Sequence, residues 1–119
     1  AVLSDGCIIN RAQISDSIVG VRSVVGDGTM IQRVVMMGAD YYESTDSIER
    51  NNTLGRPPFG IGSNTRIQNA IIDKNARIGN NCIISPAGKD ENCDGEGYYV
   101  RDGIVIIPKN AIIPDNTVI

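Results

Sequence analysis

The sequence predicts an all-β chain: a single-stranded left-handed parallel β-helix of about five coils, built on a hexapeptide repeat and carrying two inserted loops. Three observations predict it. Branched aliphatics recur at Ile61, Ile67, Ile72, Ile78 and Ile84, in steps of 6, 5, 6 and 6 residues. A helix needs a period of about 3.6 and a strand one of about 2, so neither explains the run. Six residues hold a short strand and a corner, and three such units close one triangular coil. The place four residues past the aliphatic is usually small (Thr65, Ala76, Cys82), and Gly or a polar residue usually follows the aliphatic itself. Gly, Asn and Asp suit corners where φ is positive. Rings are scarce: one Phe, four Tyr and no Trp in 119 residues that are 41% hydrophobic, as a narrow prism filled by Ile and Val requires.

Carried backwards, the register places Val2, Ile8 and Ile14 inward, then Val19, Val25 and Ile31, then Met37. The segment 41–60, with Gly55 and Pro57-Pro58, breaks the coil without costing a face and reads as a loop. The acidic segment 85–100 reads as a second one. The repeat resumes at Ile107, Ile113 and Ile119, so residues 1–119 form one domain. The residue before each inward aliphatic points outward. On the first face these are Ala1, Ile18, Met36, Ile71 and Ile106, all apolar. The second face mixes Cys7, Val24, Gly60, Arg77 and Ile112, and the third mixes Gln13, Met30, Arg66, Ile83 and Val118. A continuous apolar stripe marks a contact surface, so Ile18, Met36, Ile71 and Ile106 are expected to meet a sister subunit or another domain.

The chemistry the chain lacks is equally informative. A formal charge of −3 argues against nucleic acid as a partner. No apolar run approaches the roughly 18 residues of a membrane span, and no signal peptide opens the chain. Cys7, Cys82 and Cys93 are odd in number and fit no metal spacing, which points to reduced thiols and a cytoplasmic setting. There is no histidine, so neither the general base of a hexapeptide acyltransferase nor a zinc site of the carbonic anhydrase kind is available. The short Gly-x-Gly runs are corners and not a dinucleotide loop. The expectation is a domain with no catalytic residue, no metal and no cofactor of its own. The chain starts in mid-pattern, as an excised C-terminal domain would.

One polar cluster stands out. Lys74 and Lys109 each lie two residues past an inward isoleucine of one face, so they should share a corner on successive coils, about 5 Å apart at the backbone. The 41–60 loop leaves near that corner and carries Arg50 and Arg56. Four cations could converge there on a phosphate, lysine acting as a point charge and arginine as a fork.

Longer strings carry a family resemblance: Ser17-Ile-Val-Gly-Val-Arg-Ser23, Met37-Gly-Ala-Asp-Tyr-Tyr-Glu43, Pro58-Phe-Gly-Ile-Gly62, Ile71-Ile-Asp-Lys-Asn-Ala-Arg-Ile-Gly79, Gly97-Tyr-Tyr-Val-Arg-Asp-Gly103 and Lys109-Asn-Ala-Ile-Ile-Pro-Asp115. Together they resemble the C-terminal β-helix of the glucose-1-phosphate adenylyltransferases (ADP-glucose pyrophosphorylases), most of all the plant and cyanobacterial branch. The resemblance implies a parent enzyme that makes ADP-glucose and pyrophosphate from ATP and glucose 1-phosphate with Mg²⁺, for starch or glycogen. Its nucleotidyltransferase domain, where ATP and Mg²⁺ bind, would lie upstream. It implies a tail that supports a homo- or heterotetramer and binds phosphorylated effectors, in the plastid stroma if the source is a plant. Lys109 matches a family activator lysine; a second family lysine falls on Glu49, with Arg50 beside it. The β-helix tail of another sugar-phosphate nucleotidyltransferase, or a non-catalytic scaffold, is the alternative.

Overall fold

The computed structural model describes residues 2–119. Most strands are two residues long, because a triangular coil turns before a third can pair. They stack in parallel as three faces. On the first, Leu3, Val19, Met36, Ile72 and Ile107 align inward, with Val2, Ile18, Val35, Ile71 and Ile106 outward. On the second, Ile9, Val25, Ile61, Ile78 and Ile113 are inward. On the third, Gln13, Met30, Arg66, Ile83 and Val118 form the outer row, over Ile14, Ile31, Ile67 and Ile84. The core is this inner column. Val19, Val25, Ile67, Ile84 and Ile107 are fully buried. In the first coil Val2, Leu3 and Ile8 are exposed.

The register differs from expectation at three places. Met36, not Met37, is the inward residue: Met36 is 4% exposed and Met37 44%. In the first coil Leu3 and Ile9 replace Val2 and Ile8. At Met36 the cause is a five-residue corner leaving the third face, Ile31 to Met36, like those from Ile14 to Val19 and Ile67 to Ile72. In the first coil the shortened step is the one into the third face, from Ile9 to Ile14. A left-handed residue makes each short corner leaving the third face: Asp16 (φ 48°), Arg33 (52°) and Asn69 (49°). Such backbone costs a non-glycine residue about 1–2 kcal/mol. At Arg33 a hydrogen bond from Nε to Asn69 Oδ1, 2.6 Å long, offsets part of it. Around this corner Met30–Met36 and Arg66–Ile72 run as unbroken seven-residue strands.

Glycines after inward residues serve close approach more than positive φ. A Cβ on Gly26 would lie 2.5 Å from the Gly62 carbonyl carbon in the next coil. The small inward slots tolerate hydroxyls because each finds a carbonyl at a neighbouring corner. Thr29 Oγ1 donates to Gly62 O at 2.6 Å and Thr65 Oγ1 to Gly79 O at 2.9 Å. Cys82, buried in the same ladder, directs Sγ at Pro114 O.

Both inserted segments hold structure that the repeat does not announce. Within 41–60 an α-helix, α1, spans Thr45–Thr53, N-capped by Ser44 Oγ, which accepts from the Ser47 N–H. Asp46 in its first turn complements the helix dipole. Within 85–100 the strands Cys93–Gly95 and Tyr98–Arg101 form an antiparallel hairpin that continues onto Ile104–Ile107. It widens the first face and sets Tyr99 opposite Ile106.

Candidate effector-anion corner and contact face

The first corner after the first face is built by three coils. The pairing of Met36, Ile72 and Ile107 stacks Gly38, Lys74 and Lys109 in register. The Asn110 N–H donates to Lys74 O at 3.0 Å, fixing the two lysine backbones on successive coils. Gly38 takes a left-handed φ of 87° there, where a Cβ would collide with the Val21 carbonyl oxygen. Beyond it the chain lifts off the coil, and Asp40 faces the corner. Lys74 Nζ lies 3.2 Å from Asp40 Oδ1, and Asn75 Nδ2 donates to Asp40 Oδ2 at 3.1 Å. The Asp40 N–H donates back to Asn75 Oδ1 at 3.0 Å. Hydrogen bonds from Asn75 and Lys74, with the charges of Lys74 and Lys109, hold the Asp40 carboxyl below its ordinary value. Asp73, the residue beside Lys74, turns its Oδ1 to the Lys74 backbone N–H instead.

Three residues on, the same segment is locked. Glu43 Oε2 pairs with Arg77 Nη2 at 2.6 Å, with both side chains nearly covered. Ser47 Oγ and Asn51 Nδ2 of α1 also donate to Oε2, and the Phe59 N–H donates to Oε1. Burial pushes the Glu43 carboxyl up, but these donors, Arg77 foremost, outweigh it and hold it below its ordinary value. Arg77 projects outward from the second face, donates to Pro57 O, and lies 4.2 Å from the Phe59 ring centre. The inserted segment therefore returns across the second face and leaves the first uncovered.

The four cations do not gather. Lys74 and Lys109 share the corner, but Arg56 lines a groove with Asn52, Asn80 and Asp115, at the corner on the far side of the second face. Arg50 is an exposed residue in the last turn of α1. Asp40 and Asn75, which sequence reasoning did not single out for this site, complete it. Asp40 stands in the Asp-Tyr-Tyr-Glu string, one step before the break in the coil, and that position was the available signal.

On the first face the outward row is Val2, Ile18, Val35, Ile71 and Ile106, continued by Tyr99. Met36 drops out because it is buried, and Val35 takes its place; Ala1 lies outside the described residues. Ile18 is 49% exposed, and Val35 and Ile71 nearly 40%. The stripe is apolar over all five coils.

Comparison with known proteins gives this arrangement a family. The profile described as the GLGC left-handed parallel beta-helix domain matches residues 1–118. The chain belongs to that family. Its coil is accordingly left-handed. The whole chain is also 46% identical, over 121 aligned residues, to the maize (Zea mays) protein named glucose-1-phosphate adenylyltransferase large subunit 1, chloroplastic/amyloplastic. It spans 23% of that relative's length. In this GLGC-type helix the strings quoted above fall on the contacts just described. Met37–Glu43 runs from the cation corner to the Glu43 latch, Ile71–Gly79 carries Lys74, Asn75 and Arg77, and Lys109–Asp115 closes the corner. Among the described residues no helix is long and apolar enough to cross a membrane, and no group of three metal-ligating side chains comes together.

Proposed function

We propose that this chain is the assembly and regulatory β-helix of a glucose-1-phosphate adenylyltransferase, the enzyme that makes ADP-glucose and pyrophosphate from ATP and glucose 1-phosphate. The observation that carries the reading is the end-to-end likeness to the maize large subunit, which includes both inserted segments as well as the repeat. In this reading the fragment supplies no catalytic group. ATP and Mg²⁺ bind a nucleotidyltransferase domain elsewhere in the protein, in the plastid stroma of a plant or the cytoplasm of a bacterium. The apolar stripe of the first face packs against that domain or a sister subunit of the tetramer.

The Lys74–Lys109 corner takes a phosphorylated metabolite. Two stacked ammonium groups repel each other, an interaction that solvent moderates and an anion reverses. Asp40 neutralises only one of them. Lys109 is exposed, and among the described residues it has no carboxylate within salt-bridge distance. The test is activation of the full-length enzyme by 3-phosphoglycerate, fructose bisphosphate and inhibition by inorganic phosphate, in wild type and Lys109→Ala. The expected result is a half-effect concentration at least tenfold higher in the variant for one of them, roughly the loss of one charge-assisted contact of about 1.4 kcal/mol. Superimposable curves for all three would reduce Lys109 to a surface lysine.

A further inference from the structure

Asp40 holds the donors that a phosphate would use. Its two carboxylate oxygens accept from Lys74 Nζ at 3.2 Å and Asn75 Nδ2 at 3.1 Å, a charged donor and a neutral one on the same side of the corner. It is held near them by backbone at both ends. The Ala39 N–H is tied to Val21 O, the Asp40 N–H to Asn75 Oδ1, and Glu43 is locked on Arg77. Its side chain is still partly open to solvent, as is that of Lys74, so it can leave by a rotamer change without moving the coil.

From this placement we infer that Asp40 is a tethered competing anion. Its carboxylate occupies the phosphate position beside Lys74 until a phosphorylated ligand, entering on the unpaired Lys109, displaces it. The inference rests on the effector-site reading above and adds its regulation. A tethered competitor acts at a high effective concentration and lowers the apparent affinity by the fraction of time the site is closed. The corner is thereby tuned to respond to abundant metabolites, not trace ones.

The experiment measures binding of inorganic phosphate to the full-length protein by titration calorimetry at low ionic strength. The variants are Asp40→Asn, Asp40→Glu, Asp73→Asn and Lys109→Ala. An exposed ion pair contributes modestly, so Asp40→Asn should tighten phosphate binding about three- to fivefold. Asp40→Glu restores the charge and should return binding toward wild type. Asp73→Asn removes an equal charge one residue from Lys74, but its carboxylate is spent on a backbone N–H, so its effect should be smaller. If Lys109→Ala weakens phosphate while Asp40→Asn leaves it unchanged or weaker, the corner binds anions but Asp40 does not compete. An Asp73→Asn effect equal to that of Asp40→Asn would reduce the competition to a general field and overturn the inference. If Lys109→Ala has no effect either, the anion site itself is wrong and the inference falls with it.

Discussion

Replacing Glu43 with alanine should destabilise the folded chain by about 3–5 kcal/mol, the range seen when one member of a buried ion pair is removed. Four donors lose a carboxylate contact at once: the Arg77 guanidinium, Ser47 Oγ, Asn51 Nδ2 and the Phe59 N–H. The Arg77 side chain is only 13% exposed, so its charge cannot simply turn to water. α1 buries no residue of its own, so its position depends on this latch. The change should appear twice, as a lower Tm and as faster trypsin cleavage after Arg50. The double variant Glu43→Ala with Arg77→Met should lose less than Glu43→Ala alone, because no orphaned charge remains. A shift within 0.5 kcal/mol for Glu43→Ala would show that the latch contributes nothing.

The same carboxylate gives the latch a pH dependence of fixed sign. Its folded pKa lies below the ordinary value of 4.5, so the unfolded state binds the proton more readily. Stability from the latch is therefore full above pH 4.5 and is lost as pH falls through the lower folded value. Acid should release α1, and alkali should not.

The second large effect concerns assembly. Ile18→Lys combined with Ile71→Lys in the full-length protein should shift its sedimentation toward smaller species. Each isoleucine still shows roughly two-fifths to one-half of its surface, which a partner would remove at about 1 kcal/mol apiece. The lysines add the cost of desolvating a charge, so an interface should weaken well over tenfold. Both positions face outward, and the coil beneath them should melt as before. An unchanged oligomer would remove the stripe from the interface.

The inner column was legible because burial leaves a period in the sequence. From Ile61 to Ile84 every spaced aliphatic lies where the period sets it, and the outer row Gln13, Met30, Arg66, Ile83 and Val118 follows without error. The slip from Met36 to Met37 arose where two methionines adjoin and either fits the pattern. Only the backbone turn at Arg33 decides between them. The helix was not legible in this way. α1 carries one large apolar residue, the exposed Ile48, and buries nothing, so it leaves no periodic trace; Ser44, Asp46 and Gly55 were its only signals. Its latch joins residues far apart in sequence across the second face, which no local pattern records.

The candidate site was legible in part, for the same reason. Lys74 and Lys109 hang directly on the repeat, and the register alone brings them together. Arg50 and Arg56 hang on the inserted segment, whose path depends on Glu43 and Arg77, so their grouping with the lysines could not be read from spacing. Asp40 was hidden because its role comes from its partners: a carboxylate at a coil break means little until Lys74 and Asn75 face it.

The most direct test of the whole account is a product assay on the full-length protein, with glucose 1-phosphate, Mg²⁺ and each nucleoside triphosphate in turn. The account predicts ADP-glucose and pyrophosphate with ATP, at a rate far above that with UTP, GTP, CTP or dTTP. A sugar nucleotide formed only with another triphosphate would contradict it.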